Sequence, residues 1–529
     1  MLKLSAMSFI RQSRRLSSTY VRFDEFLRFR RNQAAKSMLI QVSGKDSSSD
    51  VKSYLTSNFG PLAGIYHYSV ASSVKRVTRS APSVNYHWVI AEFENKASLE
   101  EALKACRYPD NAVPFRSHMC WFSKPLMGLS KSTTPLDNSI ISENLDEKKS
   151  SLNIPLPVNS TIAEQMKILQ MQMKVSETSM RARFLTVHHL EQSVKALFPN
   201  ACALPFGSSV SGIGSNSGDL DLVLLLEEKG IFPKSKARQK KIRLQFQRKM
   251  LTSGGAADAR HQTVRTLELL GDIVRFFIPG YSQTHKILGA RVPIIRFVSD
   301  FTGLHCDLCY GNSSGVFMSE LIYMMGCIDN RFQPLIVTIR SWAAARNITN
   351  PVPGAQPTNF MFVMMVINFL QHKQILPTWG ILFNNATKED TRVTEDGIDC
   401  TYLRDIGELQ KYFFPKNGHT TLEELLYEFF EFYANFDFAA KGISLLTGST
   451  SDKPINTAMY IQNPLDRQLN VSRNVNINEV SRLQNEFRSA LRTLEAKSSG
   501  QSKSLTDLFR VSVDSQHMRQ IEVKKLLED

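Results

Sequence analysis

Asp219 and Asp221 stand one residue apart where an apolar run begins, Gly218-Asp219-Leu220-Asp221-Leu222-Val223-Leu224-Leu225-Leu226, and nothing else in the chain restricts its fold as much. A run this apolar, entered through a glycine, reads as a strand buried on both faces. Side chains alternate along a strand, so Asp219 and Asp221 share one face while Leu220, Leu222 and Leu224 pack on the other. Carboxylates brought together in a fold raise each other's pKa, so the pair demands a divalent cation, a shared proton or open solvent. Ser208, eleven residues before Asp219, sits in Phe206-Gly207-Ser208-Ser209, a turn whose backbone can approach a phosphate closely with a hydroxyl beside it. Asp307, in Leu304-His305-Cys306-Asp307-Leu308-Cys309, follows Pro293-Ile294-Ile295-Arg296-Phe297-Val298, which reads as a neighbouring strand. Carboxylates on adjacent strands can hold a pair of metals, Mg²⁺ or Mn²⁺, for an in-line phosphoryl displacement.

Gly-Ser, a spacer, Asp-x-Asp and a distant third Asp, in that order, resemble the polymerase-β-type nucleotidyltransferases. Within them the stretch from about residue 200 to 480 is similar to the noncanonical poly(A) and terminal uridylyl transferases. The likeness runs through Cys306-Asp307-Leu308, Ile339-Arg340-Ser341-Trp342-Ala343, Pro353-Gly354-Ala355, Thr358-Asn359-Phe360, Phe369-Leu370-Gln371 and Tyr460-Ile461-Gln462-Asn463-Pro464. The resemblance implies an α+β fold: a nucleotidyltransferase palm, a mixed sheet with helices, and a helical second lobe, with nucleotide held between them. It implies that Asp219, Asp221 and Asp307 bind the metals and that Asp307 helps to activate the attacking RNA 3′-hydroxyl. Gly207 and Ser208 would touch the triphosphate.

Arg340 matches a triphosphate-binding Lys of the family and would act as a charged clamp. Ala344 stands where relatives often carry a second basic residue, and Arg346 is the substitute at hand. Phe360 matches a base-stacking Tyr and keeps the aromatic face; Asn359 replaces a common Ser and can still donate a hydrogen bond. In the nucleotide-recognition loop Asn463 replaces an Asp, and Leu469 precedes Asn470 where uridine-specific relatives place His, which favours ATP over UTP. The implied activity is template-independent addition of AMP from ATP to RNA 3′ ends with release of pyrophosphate. The alternatives are a uridylyl or mixed-nucleotide transferase and an inactive RNA-binding scaffold, which would have no need of three carboxylates.

The flanking segments read differently. From Met1 to Phe23 the chain carries Lys3, Arg11, Arg14, Arg15 and Arg22, no acid and several Ser, with Leu4, Met7, Phe9 and Ile10 available for an apolar helical face. That is the composition of a presequence directing a protein to the mitochondrial matrix, and residues 1–36 are read as presequence and N-terminal arm. These five basic residues supply only part of the +15 net charge, so the remainder stays basic, as a protein handling a polyanion would.

Residues 37–124 read as βαββα with a last strand at Met119-Cys120-Trp121-Phe122, the order of an RRM-like ferredoxin-fold module. Its sheet offers Trp88 but Ile90 at central positions and no aromatic on its first strand. Protein–protein contact is therefore favoured over RNA binding, and the resemblance implies a homodimer. A polar linker, 125–159, separates this module from a single helix over 160–198, assigned to the helical lobe by Ile162, Met166, Leu169, Met173, Leu190 and Val194. The palm follows over 199–318, the helical lobe with its recognition loop over 319–497 and a polar tail over 498–529.

Nine basic residues and no acid lie between Lys229 and Lys249, read equally as a solvated helix or as a hold on RNA backbone. The seven cysteines, odd in number and without framework spacing, point to a reducing compartment. Cys306 and Cys309 fall on opposite faces of a strand and read as packed thiols rather than zinc ligands. No apolar run approaches the roughly 18 residues of a membrane span.

Overall fold

A computed structural model of the chain describes residues 20–71, 85–107, 119–121, 140–144, 154–157, 160–226, 259–350, 354–395, 397–495 and 504–510. The presequence up to residue 19, most of the 125–159 linker, the whole basic run 229–249 and most of the 498–529 tail lie outside the described residues. The chain divides into two compact units. The first takes residues 1–148, 175–211 and 215–319, the second 149–174, 212–214 and 320–529.

In the first unit α1 (Phe23–Ala35) leads into β1 (Ser37–Val42), α2 (Ser47–Phe59), β2 (Leu62–Ala71), β3 (Asn85–Phe93), α3 (Lys96–Ala105), β4 (Met119–Trp121) and β5 (Ile141–Asn144). Phe23 and Leu27 are buried, so the folded chain begins inside the stretch read as arm. The sheet order is β4-β1-β3-β2-β5. One strand departs from the simple pattern. A helical crossover from β3 would bring β4 back antiparallel to β1, yet the three-residue β4 runs parallel to β1.

Alternation divides the side chains of this sheet between two cores. Met38, Ile40, Ile65, Val89, Ala91 and Phe93 face α2 and α3, meeting Val51, Leu55 and Leu99. The other face, with Leu39, Tyr66, Tyr68, Trp88 and Ile90, meets Ala182 and Leu185 on the helix Glu177–Lys195 and the partly buried Phe301. Trp88 stands edge-on to Phe301 with centroids 5.8 Å apart, and the Tyr68 hydroxyl donates to the Phe301 carbonyl at 2.9 Å. Arg181 lies over the Tyr66 ring at 4.2 Å and pairs with buried Glu92 at 2.9 Å. Aromatics able to stack on bases are present, Tyr66 and Tyr68 among them, but the protein itself covers the face that an RNA-reading sheet would offer.

The segment read as one helix over 160–198 is two helices, α4 (Ile162–Met173) and α5 (Glu177–Lys195), and they fall in different units. Apolar spacing alone missed the start signals. Thr161 with Glu164 forms a capping box on α4, and the Ser176 hydroxyl accepts from the Ser179 N–H to cap α5. Only α4 belongs with the helical unit; α5 packs against the palm.

The palm is the sheet β6-β7-β10-β9-β8, from β6 (Cys202–Phe206), β7 (Leu220–Leu225), β8 (Tyr281–Ile287), β9 (Ile294–Ser299) and β10 (His305–Tyr310). Its core joins Leu220, Leu222, Leu224, Ile295, Phe297, Cys306 and Leu308 to α5 and to α6 (Ala259–Phe276), which contributes Leu267, Leu270 and Val274. Cys306 and Cys309 are both buried and free, as the opposite-face reading expects, and burial pushes the Cys309 thiol up to about 12.

From Glu320 onward, in α7 (Ser314–Ile328), the second unit is mainly helical: α8 (Phe332–Ala345), α9 (Asn359–His372), α10 (Trp379–Asn384), α11 (Ile406–Leu409), α12 (Leu422–Ala434), α13 (Ile477–Glu495) and α14 (Leu505–Phe509), with the hairpin β11 (Lys441–Ser444) and β12 (Ser449–Asp452). Trp342 is its centre, stacked on Phe487 at 5.5 Å and edge-on to Phe430 at 4.8 Å. The tail is not polar throughout. Leu505, Leu508 and Phe509, at spacings that share one helix face, are buried, and the Leu505 N–H donates to Gln165 Oε1 at 2.9 Å. Among the described residues no helix is long and apolar enough to cross a membrane.

Candidate active site

Strand pairing sets the geometry of the carboxylates. Asp221 on β7 lies opposite Asp307 in the parallel pair with β10 and opposite Phe206 in the antiparallel pair with β6. Residues opposite one another project to one face of a sheet, and Asp219, just before the strand, lies close enough for its charge to act on Asp221. Burial, then the charges of Asp307 and Asp219, push the Asp221 carboxyl up from 3.8 to about 7. The all-oxygen donors of these carboxylates suit Mg²⁺ or Mn²⁺.

Asp307 is committed elsewhere. Arg296, opposite it on β9, donates from Nε to Oδ1 at 2.7 Å and from Nη2 to Oδ2 at 2.6 Å. Among the described residues no three His, Cys, Asp or Glu side chains converge to hold a metal. The register brings Asp221 and Asp307 side by side, and the Arg296 guanidinium takes both oxygens of Asp307.

The turn after β6 fits closely beneath Asp221. Gly207 has φ +70°, and a Cβ there would run into the Asp221 carboxylate, so only glycine serves. Its N–H donates to the buried Ser319 hydroxyl at 2.7 Å. Ser208 is half-buried, and its hydroxyl has no protein partner among the described residues.

Sequence reasoning missed Arg183. This α5 side chain is 1% exposed and lacks a salt-bridge partner among the described residues. Its Nη1 donates to Ser209 Oγ at 2.8 Å and to the Asp219 carbonyl at 3.2 Å. Its Nη2 reaches the carbonyls of Ser215 at 3.2 Å, Asn216 at 3.0 Å and Gly218 at 2.7 Å. Burial lowers its pKa to about 10, against the raising pull of nearby groups including Asp219 and Asp221, so it remains charged at neutral pH. One cation thus gathers both ends of the loop that carries Ser208 and delivers Asp219.

The second unit brings together two of its candidate residues. Arg340 on α8 donates from Nη1 to the Ile213 carbonyl at 2.7 Å and from Nε to Asn359 Oδ1 at 3.4 Å. Asn359 is exposed in the first turn of α9, capped by Thr358, whose Oγ1 accepts from the Met361 N–H at 3.2 Å; Phe360 follows, half-buried. Arg346 does not replace the base missing at Ala344. Its guanidinium pairs with Glu486 on α13 at 2.8 Å and also donates to the Arg510 carbonyl, spent on packing.

In the loop after Tyr460, the buried Asn463 Oδ1 accepts from the N–H groups of Leu465 at 2.9 Å and Asp466 at 3.0 Å, so it shapes the turn. Leu469 is half-buried, its carbonyl accepting the Asn463 N–H at 3.0 Å. Asn470 locks the loop from inside. Its Oδ1 accepts from the N–H groups of Ile461 and Ser472, each at 3.0 Å, and its Nδ2 donates to the Met459 carbonyl at 2.9 Å.

Comparison with known proteins identifies the family. Residues 162–326 match the family described as "Poly(A) RNA polymerase, mitochondrial-like, central palm domain", and residues 421–469 match "Cid1 family poly A polymerase". The chain is 36% identical over 486 residues to the mitochondrial poly(A) RNA polymerase of Drosophila melanogaster, covering 90% of this chain and 76% of that protein. It is 33% identical over 467 residues to the protein of that name from Homo sapiens, covering 87% of this chain and 75% of that protein. A crystal structure of mtPAP with ATPγS superposes with TM-score 0.76 at 28% identity, over 93% of this chain and all of that one. A crystal structure of mtPAP with UTP gives TM-score 0.76 at the same identity and coverage.

Proposed function

The chain belongs to the mitochondrial poly(A) RNA polymerase family, and on that premise we propose that it adds AMP from ATP to RNA 3′ ends in the mitochondrial matrix, without a template. The observation that carries this reading is the row in which Asp221 and Asp307 stand opposite one another with Ser208 at the adjacent turn. In the reaction the 3′-hydroxyl oxygen bonds to the α-phosphorus of ATP, the bond to the bridging oxygen breaks, pyrophosphate leaves and the hydroxyl proton is released. Asp219, Asp221 and Asp307 would hold the divalent ions, Mg²⁺ or Mn²⁺, which would supply Lewis-acid neutralisation of the triphosphate and activation of the hydroxyl.

The side chains supply position. Asp307 orients the acceptor hydroxyl, and Gly207 and Ser208 take the triphosphate through backbone and hydroxyl donors. Arg340 adds a cation, while Asn359 and the Phe360 ring contact the base. Asn463 and Asn470 set the shape of the loop on which Leu469 offers an apolar surface to adenine. The amphipathic, acid-free composition of the first 19 residues supports a matrix-targeting presequence.

Incubating the intact protein with labelled RNA and each of the four nucleoside triphosphates in turn tests the activity. ATP is expected to extend the RNA well beyond the others, and no extension after Asp307→Ala. Equal or faster extension with UTP would reassign the enzyme as a uridylyl transferase.

A homodimer built on the RRM-like module is the accompanying reading. With both faces of that sheet packed, the outer strands β4 and β5, each with one strand neighbour among the described residues, are the edges we assign to pairing with a second copy. Light scattering should give twice the 59.8 kDa of the chain, and a monomer at micromolar concentration would remove this role.

A further inference from the structure

The catalytic row does not end at Asp307. Across the sheet it runs Phe206, Asp221, Asp307, Arg296 and His285, each opposite the next, so these side chains leave one face in sequence. The neighbouring row points the other way into the core through Leu222, Leu308 and Ile295, while Lys286, opposite Ile295, pairs with Asp272 on α6 at 2.7 Å. The side chains at 296 and 285 therefore leave the face opposite the palm's own helices.

Arg296 sits at the surface and still holds a carboxylate with both arms of its guanidinium. Arg183, Arg181 and Arg30 are buried or nearly so, whereas the Arg296 side chain is 44% exposed against 15% for the Asp307 it grips. Its fork takes both oxygens of Asp307. If Asp307 is to serve the acceptor hydroxyl, that fork has to open. The guanidinium then stands about 5 Å away, one strand spacing from the carboxylate, with its side chain 44% exposed and its hydrogen bonds free for another acceptor.

We propose that Arg296 binds the 3′-terminal phosphodiester of the acceptor RNA, exchanging the Asp307 carboxylate for that phosphate when the 3′-hydroxyl engages, with the exposed His285 as a further donor on the edge strand. The inference rests on the tailing activity proposed above. A planar guanidinium binds carboxylate and phosphate in the same two-point manner, so the exchange keeps its hydrogen bonds. The phosphodiester nearest a 3′-hydroxyl is the last one in the strand. In the free enzyme the same fork caps Asp307, so the acceptor end and the carboxylate that handles it are made available together.

The test measures RNA affinity without turnover, by fluorescence anisotropy of a short 5′-labelled oligo(A) on the intact protein in the absence of nucleotide. Arg296→Ala should weaken binding by roughly tenfold and lower the slope of log affinity against log salt by about 0.7, one phosphate contact on a single strand. Arg296→Lys should recover part of the loss, since it keeps the charge but not the fork. The decisive arm uses an oligonucleotide whose last linkage is a neutral methylphosphonate. It should bind the wild-type protein roughly tenfold more weakly than normal RNA, and the Arg296→Ala protein no more weakly. A methylphosphonate penalty of equal size in both proteins, or an Arg296→Ala protein that binds normal RNA as wild type does, would overturn the assignment. In either case extension of RNA by the wild-type enzyme with ATP would leave the tailing activity standing.

Discussion

Asp221→Asn should reduce adenylate addition by about three orders of magnitude or more at saturating ATP and RNA, while the metal-free protein becomes more stable. Asp221 is the carboxylate opposite Asp307, and the family mechanism makes it a ligand of both ions. Losing it forfeits several kcal/mol of transition-state stabilisation, at about 1.4 kcal/mol for each tenfold in rate. The stability effect has the opposite sign because the fold pays to keep this acid ionised. Its carboxyl is raised from 3.8 to about 7, so the folded state disfavours the charge by on the order of 4 kcal/mol. That penalty is absent below the unfolded pKa and grows as pH rises through about 7. In chelator, wild-type protein should therefore lose Tm between about pH 5 and pH 8, and Asp221→Asn should lose less. Adding Mn²⁺ should raise the wild-type Tm and leave the variant's nearly unchanged, since a ligand stabilises only the state that binds it. Tailing by Asp221→Asn at a substantial fraction of wild type, or a lower Tm for the variant in chelator at pH 8, would count against the placement of the ions.

The carboxylates were legible in the sequence because a strand carries its own ruler. Alternation put Asp219 and Asp221 on one face, and the apolar run told which face was inward. Neither rule reports on partners far along the chain, so Arg296 passed unnoticed in a strand whose boundaries were read nearly correctly. Arg183 was hidden for another reason. It lies among Ala182, Phe184, Leu185 and Val187, and an arginine in such a stretch reads as a solvated side chain until the carbonyls it serves are seen. The break at Lys174-Val175-Ser176 was present as a capping serine, but continuous apolar spacing on either side outweighed it. In the small module the aromatic content of two strands was weighed, whereas the structure covers that face of the sheet with α5 and Phe301. Such coverage depends on residues about a hundred and more positions away, as Tyr68 bonding to Phe301 shows, and no local pattern records it.

Arg183→Met should lower the rate of tailing by roughly a hundredfold even where the protein still folds. The guanidinium is the shared donor for the carbonyls of Ser215, Asn216, Gly218 and Asp219 and for Ser209 Oγ. Without it these acceptors lose a charge-assisted partner, each worth about 1–3 kcal/mol when left buried, so the loop will move to find water. Movement of about an ångström at Asp219 is enough to cost roughly two orders of magnitude in rate. The variant also removes the buried positive charge that offsets the cluster of Asp219 and Asp221. Arg183→Lys restores that charge but offers a point donor in place of a planar fork, so it should recover Tm more than rate. Three measurements separate positioning from mere support: Tm, Mn²⁺ affinity followed by electron paramagnetic resonance, and kcat at saturating substrates. Positioning predicts weaker Mn²⁺ binding and lower kcat in both variants, with Arg183→Lys near wild type in Tm. If Arg183→Lys restores kcat in full, or if Arg183→Met loses Tm and nothing else, the buried arginine supports the fold without setting the geometry of the carboxylates.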